Sequence, residues 1–132
     1  MSEKPLSCVL LADRHHGLAE SVRGLLETAF DMVIMVANET SLIEGAARLQ
    51  PQVAVMDLSL PGGGGLGCLT ALRQRCPGLK VIVLSVHDER SVRREAMDAG
   101  ADAFVLKRAI ATDLLDTVSL VRGATPPFPQ PR

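Results

Sequence analysis

Val53-Ala54-Val55-Met56-Asp57 is followed directly by Leu58-Ser59-Leu60-Pro61-Gly62-Gly63-Gly64-Gly65. The apolar run is rich in β-branched valine and too short for a helix, which predicts a strand buried on both faces. The proline and glycines behind it predict a sharp turn, which leaves Asp57 at the carboxyl end of that strand. Ligands bind at this edge of open α/β sheets, so Asp57 is the first candidate for a functional site.

Four more short apolar runs predict further strands, at residues 7–12, 32–37, 80–85 and 103–106. Between and after the five runs, apolar residues recur at helical spacing and predict five helices. Their stripes are Leu18, Val22, Leu25, Leu26 and Ala29; Ile43, Ala46, Ala47 and Leu49; Leu66, Leu69 and Leu72; a weakly apolar stretch at about 91–99; and Leu114, Leu115, Val118 and Val121. This alternation favours an α/β fold in which a doubly wound parallel sheet is covered on both faces.

Capping residues predict where two of the helices begin or end. Asn38, with Thr40 or Ser41, supplies side-chain oxygens for the start of the second helix, and Pro51 stops that helix. Gly100 closes the fourth helix. The Lys107-Arg108 pair is predicted to form a turn after the fifth strand.

Composition excludes several classes of function. The 132 residues fit one domain, and the net charge of -1 gives no basic field for nucleic acid. With 2% aromatic residues, the chain has few platforms on which bases could stack. We therefore expect a protein partner and no nucleic-acid partner in this chain.

Three cysteines, Cys8, Cys68 and Cys76, match neither a zinc ribbon nor a disulfide framework and are interpreted as reduced packing residues. The amino terminus has no apolar signal core, and no stretch approaches the roughly 20 apolar residues of a membrane span. A cytoplasmic protein without membrane contact is the expectation.

Four polar side chains follow four different predicted strands: Asp13, Asp57, Ser85 and Lys107. The carboxyl ends of parallel strands share one edge of the sheet, so these groups are expected to lie together. Asp57 alone could simply cap the following helix. The recurrence of polar groups at the same structural position favours a site.

The motifs that carry a resemblance are Leu11-Ala12-Asp13, Met56-Asp57-Leu58-Ser59-Leu60-Pro61-Gly62, Ser85, Gly100-Ala101-Asp102-Ala103-Phe104 and Lys107. Up to about Arg122 the chain resembles a receiver domain of the two-component response regulators. Because it has no proline after Lys107, the chain resembles the branch of the family whose receivers usually precede a helix-turn-helix output domain. The resemblance implies a flavodoxin-like five-stranded sheet of order 2-1-3-4-5 with five helices.

The resemblance also implies a chemistry for this edge of the sheet. Asp57 would accept a phosphoryl group from a phosphohistidine on a sensor histidine kinase or a phosphotransfer protein. Lys107 and Ser85 would bind that group through charge and a hydrogen bond, and both would hold Asp57 ionised. Such a chain is a signalling switch rather than an enzyme, apart from catalysing the transfer and loss of its own phosphoryl group.

Three further residues resemble the family's tuning and switch positions. Ser59 and His87, each two residues beyond a site residue, would tune how long the phosphoryl group survives, or are ordinary exposed loop residues. Phe104 would be the switch aromatic that turns inward when Ser85 moves, or is plain core. The fourth helix, fifth strand and fifth helix would then change their preference for a downstream protein partner or form a homodimer.

Arg14 departs from the family pattern. Most members have two adjacent acidic residues here, which hold Mg²⁺ together with the phosphoacceptor. Mg²⁺ prefers oxygen ligands, so a weakened or dispensable metal is expected. Either Arg14 reaches over Asp57 and partly replaces the charge of the metal, or it points to solvent and leaves a weak site made by Asp13 and Asp57.

The same residues also allow other functional assignments. A degenerate receiver would bind its partner without phosphorylation. An aspartate-based phosphohydrolase would carry a second aspartate two residues after its nucleophile, where this chain has Ser59, so a general acid is missing. The adjacent His15 and His16 favour surface histidines over a metal site, and the glycine loop lacks the pattern of a nucleotide-binding loop.

The expected organisation is an N-terminal extension at 1–6, a receiver domain at 7–122 and a disordered proline-rich tail at 123–132. No DNA-binding helix pair follows Arg122 in the ten remaining residues. This predicts a stand-alone receiver or a piece of a transcription regulator, of which we expect the first.

Overall fold

The computed structural model describes residues 7–14, 16–59 and 65–123, in which five strands alternate with five α-helices. The elements are β1 Cys8–Ala12, α1 His16–Leu26, β2 Met32–Val36, α2 Glu39–Leu49, β3 Val53–Asp57, α3 Gly65–Arg75, β4 Lys80–Ser85, α4 Arg90–Asp98, β5 Ala103–Leu106 and α5 Ile110–Val121. None of the described helices is long and apolar enough to cross a membrane. The predicted extension at 1–6, His15, most of the glycine loop and the tail beyond Gly123 lie outside the described residues.

All five strands are parallel, in the order β2-β1-β3-β4-β5, which confirms the predicted topology. The register pairs Ala12 with Met56, Asp57 with Leu84 and Ser85 with Leu106. The carboxyl ends of β1, β3, β4 and β5 therefore finish at one edge, as the sequence predicted.

The sheet separates two apolar clusters because successive side chains of a strand point to opposite faces. On one face Leu10, Ala54 and Val81 pack with α2, α3 and α4, and on the other Val55 and Ile82 pack with α1 and α5. Every residue of β3 is buried, as predicted. β2 is less buried, with Met32 42% exposed, because this edge strand pairs only with β1.

The second helix begins as the sequence predicted, with one correction. The Asn38 side chain accepts a hydrogen bond from the Ser41 backbone N–H at 2.8 Å, so Ser41 contributes its N–H rather than its hydroxyl. The helix ends at Leu49, and Gln50 adopts a left-handed conformation with a φ of 48° before Pro51. Asn38 is thus the cap, and Pro51 follows the helix end.

Some sequence-based boundaries were wrong by a few residues. Ala29 lies beyond the end of α1, although it still packs on the core from a turn. Ile110 was missed as the first buried residue of α5, although it continues the stripe of Leu114 and Val118 at a spacing of four residues. The predicted turn after β5 is a short 3₁₀ helix, Lys107–Ala109.

The three cysteines are free thiols, as expected. Cys68 is buried on α3, and burial together with the nearby charge of Glu39 raises the pKa of its thiol to about 11. A thiol with a raised pKa is a poor nucleophile. This supports the interpretation of Cys68 as a packing residue.

Gly100 closes α4 with a φ of 117° and lies directly against Arg73 of α3. A Cβ at this position would approach Arg73 Cγ to 2.5 Å. Arg73 donates a hydrogen bond to the Leu79 carbonyl and lies 3.5 Å from Asp102, whose carboxylate accepts the Val81 N–H at 2.8 Å. Arg73 therefore ties α3 to the starts of β4 and β5, and Gly100 makes room for it.

Gly100→Ala is expected to lower the free energy of unfolding by roughly 1–3 kcal/mol, because alanine is strained at this φ and would push Arg73 aside. Urea denaturation measures the change. The matched control is Gly24→Ala in α1, where nothing lies within 4 Å and alanine should stabilise the helix by up to about 1 kcal/mol. Equal effects of the two substitutions would contradict this account of Gly100.

Candidate functional site

Asp13, Asp57 and Lys107 come together at the carboxyl edge of the sheet. Lys107 Nζ lies 2.9 Å from Asp57 Oδ2 and 3.5 Å from Asp13 Oδ2. The exposed fraction of the side chain is only 7% for Lys107, 3% for Asp57 and 0% for Asp13. One buried ammonium therefore contacts two buried carboxylates and offsets part of their negative charge.

The strand order explains how this cluster forms. Asp57 is the last residue of β3, and Asp13 comes directly after the neighbouring strand β1. Lys107 follows β5, two strands away from β3, and its long side chain spans the distance over the end of β4. Three residues far apart in sequence thus meet because parallel strands end at one edge.

Ser59 binds the other oxygen of the Asp57 carboxylate. Its backbone N–H and its hydroxyl each donate to Asp57 Oδ1 at 3.0 Å. This is the local turn that aspartate side chains form with the backbone two residues later. Oδ1 accepts from Ser59 while Oδ2 accepts from Lys107, so the carboxylate is held in one orientation.

The ionisation of Asp57 reflects opposing effects. Burial by itself raises the pKa of the carboxyl group, but the hydrogen bonds from Ser59 and the hydrogen bond and charge of Lys107 outweigh it. The pKa of Asp57 therefore lies below its ordinary value of 3.8. A depressed pKa stabilises the folded protein above that value, and this contribution is lost as the pH falls through the lower folded pKa.

Ser59→Ala is expected to raise the pKa of Asp57, because it removes the hydroxyl donor and leaves the backbone donor. Carbon NMR of the Asp57 carboxyl during an acid titration measures this pKa. Thr28→Ala is the control, since its hydroxyl donates to the Leu25 carbonyl in another turn. An unchanged pKa in the Ser59 variant would contradict the role assigned to that hydroxyl.

Ser85 is buried at the end of β4, and its Oγ accepts the backbone N–H of His87 at 2.9 Å. Its hydroxyl proton can still be donated to a ligand at the sheet edge. The side chain of His87 is exposed, with Nδ1 3.9 Å from Glu89. Of the two predicted tuning residues, Ser59 contacts Asp57 directly and His87 faces solvent.

Arg14 is exposed, and no hydrogen bond or ion pair within residues 7–14, 16–59 and 65–123 includes its guanidinium. The arrangement in which Arg14 reaches over Asp57 is not the one observed. Instead, Lys107 supplies the positive charge beside that carboxylate. Phe104 is 9% exposed and packs in the apolar cluster under α4.

The donor set of Asp13 and Asp57 fits a magnesium ion. Asp13 and Asp57 offer carboxylate oxygens so close together that one ammonium contacts both. Mg²⁺ is commonly held by one or two carboxylates, with water and phosphate oxygens as its other ligands. Within the described part of the chain, no three His, Cys, Asp or Glu side chains gather into a metal site.

Two features near this edge were missed from the sequence. Arg108 forms an ion pair with Asp88, which connects the turn after Lys107 to the loop after Ser85. Glu39 is buried in the first turn of α2. An acidic residue at a helix start is common on the surface, so no signal in the sequence distinguished Glu39 as buried.

The sequence and the fold are similar to those of known proteins. The sequence profile of the response regulator receiver domain matches residues 9–119. The transcriptional regulatory protein MctR of Rhizobium johnstonii is 31% identical over 127 residues, which cover 93% of this chain and 58% of that protein. The nitrate/nitrite response regulator NarL of Escherichia coli K12 is 32% identical over 117 residues, which cover 87% of this chain and 54% of that protein.

A solved structure of the RcsB response regulator from Salmonella typhimurium superposes with a TM-score of 0.80 at 28% identity, covering 92% of this chain and 64% of that one. The chain spans about half the length of the curated relatives that it matches. Residues 9–119, which the receiver profile matches, include Asp13, Asp57 and Lys107. This chain belongs to the response regulator receiver domain family.

Proposed function

We propose that Asp57 accepts a phosphoryl group and that this modification switches a protein-interaction surface. The observation that carries the proposal is the buried Asp57 carboxylate, held ionised by Lys107 at 2.9 Å and by Ser59 at 3.0 Å. A carboxylate is a weak nucleophile toward an anionic phosphoryl group unless the negative charge is offset. Lys107 provides that offset within the folded protein.

The transfer is a single displacement. An oxygen of Asp57 forms a bond to phosphorus, the bond from phosphorus to the donor breaks, and the donor keeps the electron pair. For a phosphohistidine donor the leaving atom is an imidazole nitrogen. Most of the catalysis in such transfers comes from positioning and charge stabilisation, which Lys107 and the Ser85 hydroxyl supply. The product is an acyl phosphate on Asp57.

The partners follow from this chemistry. The donor is a sensor histidine kinase or phosphotransfer protein. Phosphorylation would move Ser85 toward the phosphoryl group and further favour the buried position of the Phe104 ring, which would alter the surface of α4, β5 and α5. That surface binds a downstream protein or a second copy of the chain. The unit that carries out these steps is the stretch from 7 to 122, and we place it in the cytoplasm.

Asp13 and Asp57 would hold Mg²⁺, which would offset negative charge on the incoming phosphoryl group. The exposed Arg14 occupies the position at which a second acidic residue would add a ligand. The proposed site is therefore weak.

Arg14→Asp is expected to tighten Mg²⁺ binding about tenfold, because it adds a carboxylate ligand and removes a positive charge. Calorimetric titration with MgCl₂ measures the affinity, and the rise of the melting temperature with Mg²⁺ gives a second measurement. Arg94→Asp on α4 makes the same charge change on an exposed helix and should leave the affinity unchanged. Equal affinities of all three proteins would refute the weak-site explanation.

Incubation with acetyl phosphate, followed by intact-mass measurement, tests the proposed function. We expect one added phosphoryl group per chain and no rapid multiple turnover of a small phosphate ester. Rapid turnover would indicate a phosphohydrolase. A chain that gains no mass with acetyl phosphate or a phosphorylated kinase would be a receiver that acts without phosphorylation, the alternative that the exposed Arg14 favours.

A further inference from the structure

Arg93 lies over the ring of Phe104. Its guanidinium carbon is 5.8 Å from the ring centroid, within the distance at which a cation is attracted to an aromatic face. Arg93 belongs to α4 and Phe104 to β5, so this contact joins two elements of the proposed signalling surface.

Most side chains of α4 are at least partly exposed. Within this helix, which the structure describes in full, Ala96 is the one buried residue. Glu89 precedes the helix without a side-chain cap, and the first turns carry arginines, which oppose the helix dipole. The contact of Arg93 with Phe104 therefore adds to the packing of Ala96 and the partly buried Val92 on the cluster that contains Phe104.

The same arginine also borders open space beside the ring. A depression of about 470 Å³ between α4 and α5 is lined by Arg93, Phe104, Met97 and Leu120, among others. Arg93 and Met97 are four residues apart and so share a helix face. Phe104 packs with the buried cluster on one side and adjoins this depression on the other. Arg93 and the Phe104 ring therefore line the same depression, with the guanidinium over the ring face.

We propose that Arg93 is the positioning residue that keeps the Phe104 ring in its buried position before any phosphoryl group arrives. This inference rests on the proposed function, because a buried ring accompanies movement of Ser85 toward the phosphoryl group. The contact then sets how far the unmodified chain already resembles the phosphorylated one. Weakening it turns the ring outward and makes phosphorylation less favourable.

Fluorine NMR of protein labelled with fluorophenylalanine tests this directly. The chain has three phenylalanines, and Phe104→Leu assigns the resonance of Phe104. The change in its chemical shift between H₂O and D₂O measures exposure of the ring to solvent. The spectra compare the wild type, Arg93→Gln, Arg93→Lys and, as a matched control, Arg94→Gln, which removes the same charge from the same helix.

We expect Arg93→Gln to increase the solvent-induced shift of the Phe104 resonance, Arg93→Lys to restore most of the wild-type value, and Arg94→Gln to change nothing. The rate of phosphorylation by acetyl phosphate should fall about two- to fivefold in Arg93→Gln, the range for a solvent-accessible cation–π contact. The same exposure change should occur in an Asp57→Asn background. An unchanged Phe104 resonance, or equal changes in the Arg93 and Arg94 variants, would overturn the inference. If Arg93→Gln exposes the Phe104 ring as expected but the wild-type protein is not phosphorylated, the result would instead refute the proposed function.

Discussion

Asp57→Asn is expected to abolish incorporation of a phosphoryl group from either acetyl phosphate or a phosphorylated kinase. The amide can still accept the hydrogen bonds from Ser59 that the carboxylate accepts. It carries no negative charge and is not a nucleophile toward phosphorus, so no acyl phosphate can form. Intact-mass spectrometry measures the added group over time.

Asp13→Asn is the matched control for that substitution. Asp13 is also buried beside Lys107, so its replacement removes the same charge from the same cluster. We expect slower incorporation, since a metal ligand is lost, but full mass gain after long incubation. A phosphorylated Asp57→Asn protein would show that the acceptor was assigned to the wrong carboxylate, and an Asp13→Asn protein that never gains mass would contradict the expected auxiliary role of Asp13.

Lys107→Met is expected to slow phosphorylation of Asp57 about a hundredfold or more, the usual effect of removing one group that stabilises transition-state charge. It should also lower the free energy of unfolding by roughly 3–5 kcal/mol, because two buried carboxylates lose the ammonium between them. Phosphorylation kinetics and urea denaturation measure the two effects separately.

Two further variants separate catalysis by Lys107 from its contribution to stability. Lys107→Arg keeps a positive charge and should retain most of the stability while phosphorylation remains slow, since a planar guanidinium cannot reproduce the compact ammonium. In an Asp57→Asn background, Lys107→Met should lower the free energy of unfolding much less than in the wild type, because only the Asp13 carboxylate is then left without the ammonium. If the Lys107→Met protein is phosphorylated at the wild-type rate, the role given to this lysine is refuted.

Short valine-rich runs and their alternation with helical stripes predicted all five strands and five helices. β3 was the clearest case, because a strand between two others is buried on both faces and so is apolar throughout. The apolar residues of β2 do not by themselves reveal that it is an edge strand. The strand order came from the family resemblance, since spacing alone leaves several doubly wound orders open.

The composition of the site could be predicted because parallel strands place their following residues at one edge. That argument brought Asp13, Asp57 and Lys107 together but gave no distances. The direction of Arg14 and the two hydrogen bonds from Ser59 to Asp57 depend on loop conformation, which side-chain type does not determine. Arg93 over Phe104 likewise depends on how α4 packs against β5.

The central claim, that Asp57 carries the phosphoryl group, is tested most directly by chemical trapping. Borohydride reduces an aspartyl phosphate to homoserine, and peptide mass spectrometry then locates the converted residue. After treatment with a phosphorylated donor, we predict homoserine at position 57 and unaltered aspartate at position 13. Homoserine at Asp13, or at no aspartate in a chain that has gained the mass of a phosphoryl group, would contradict the account.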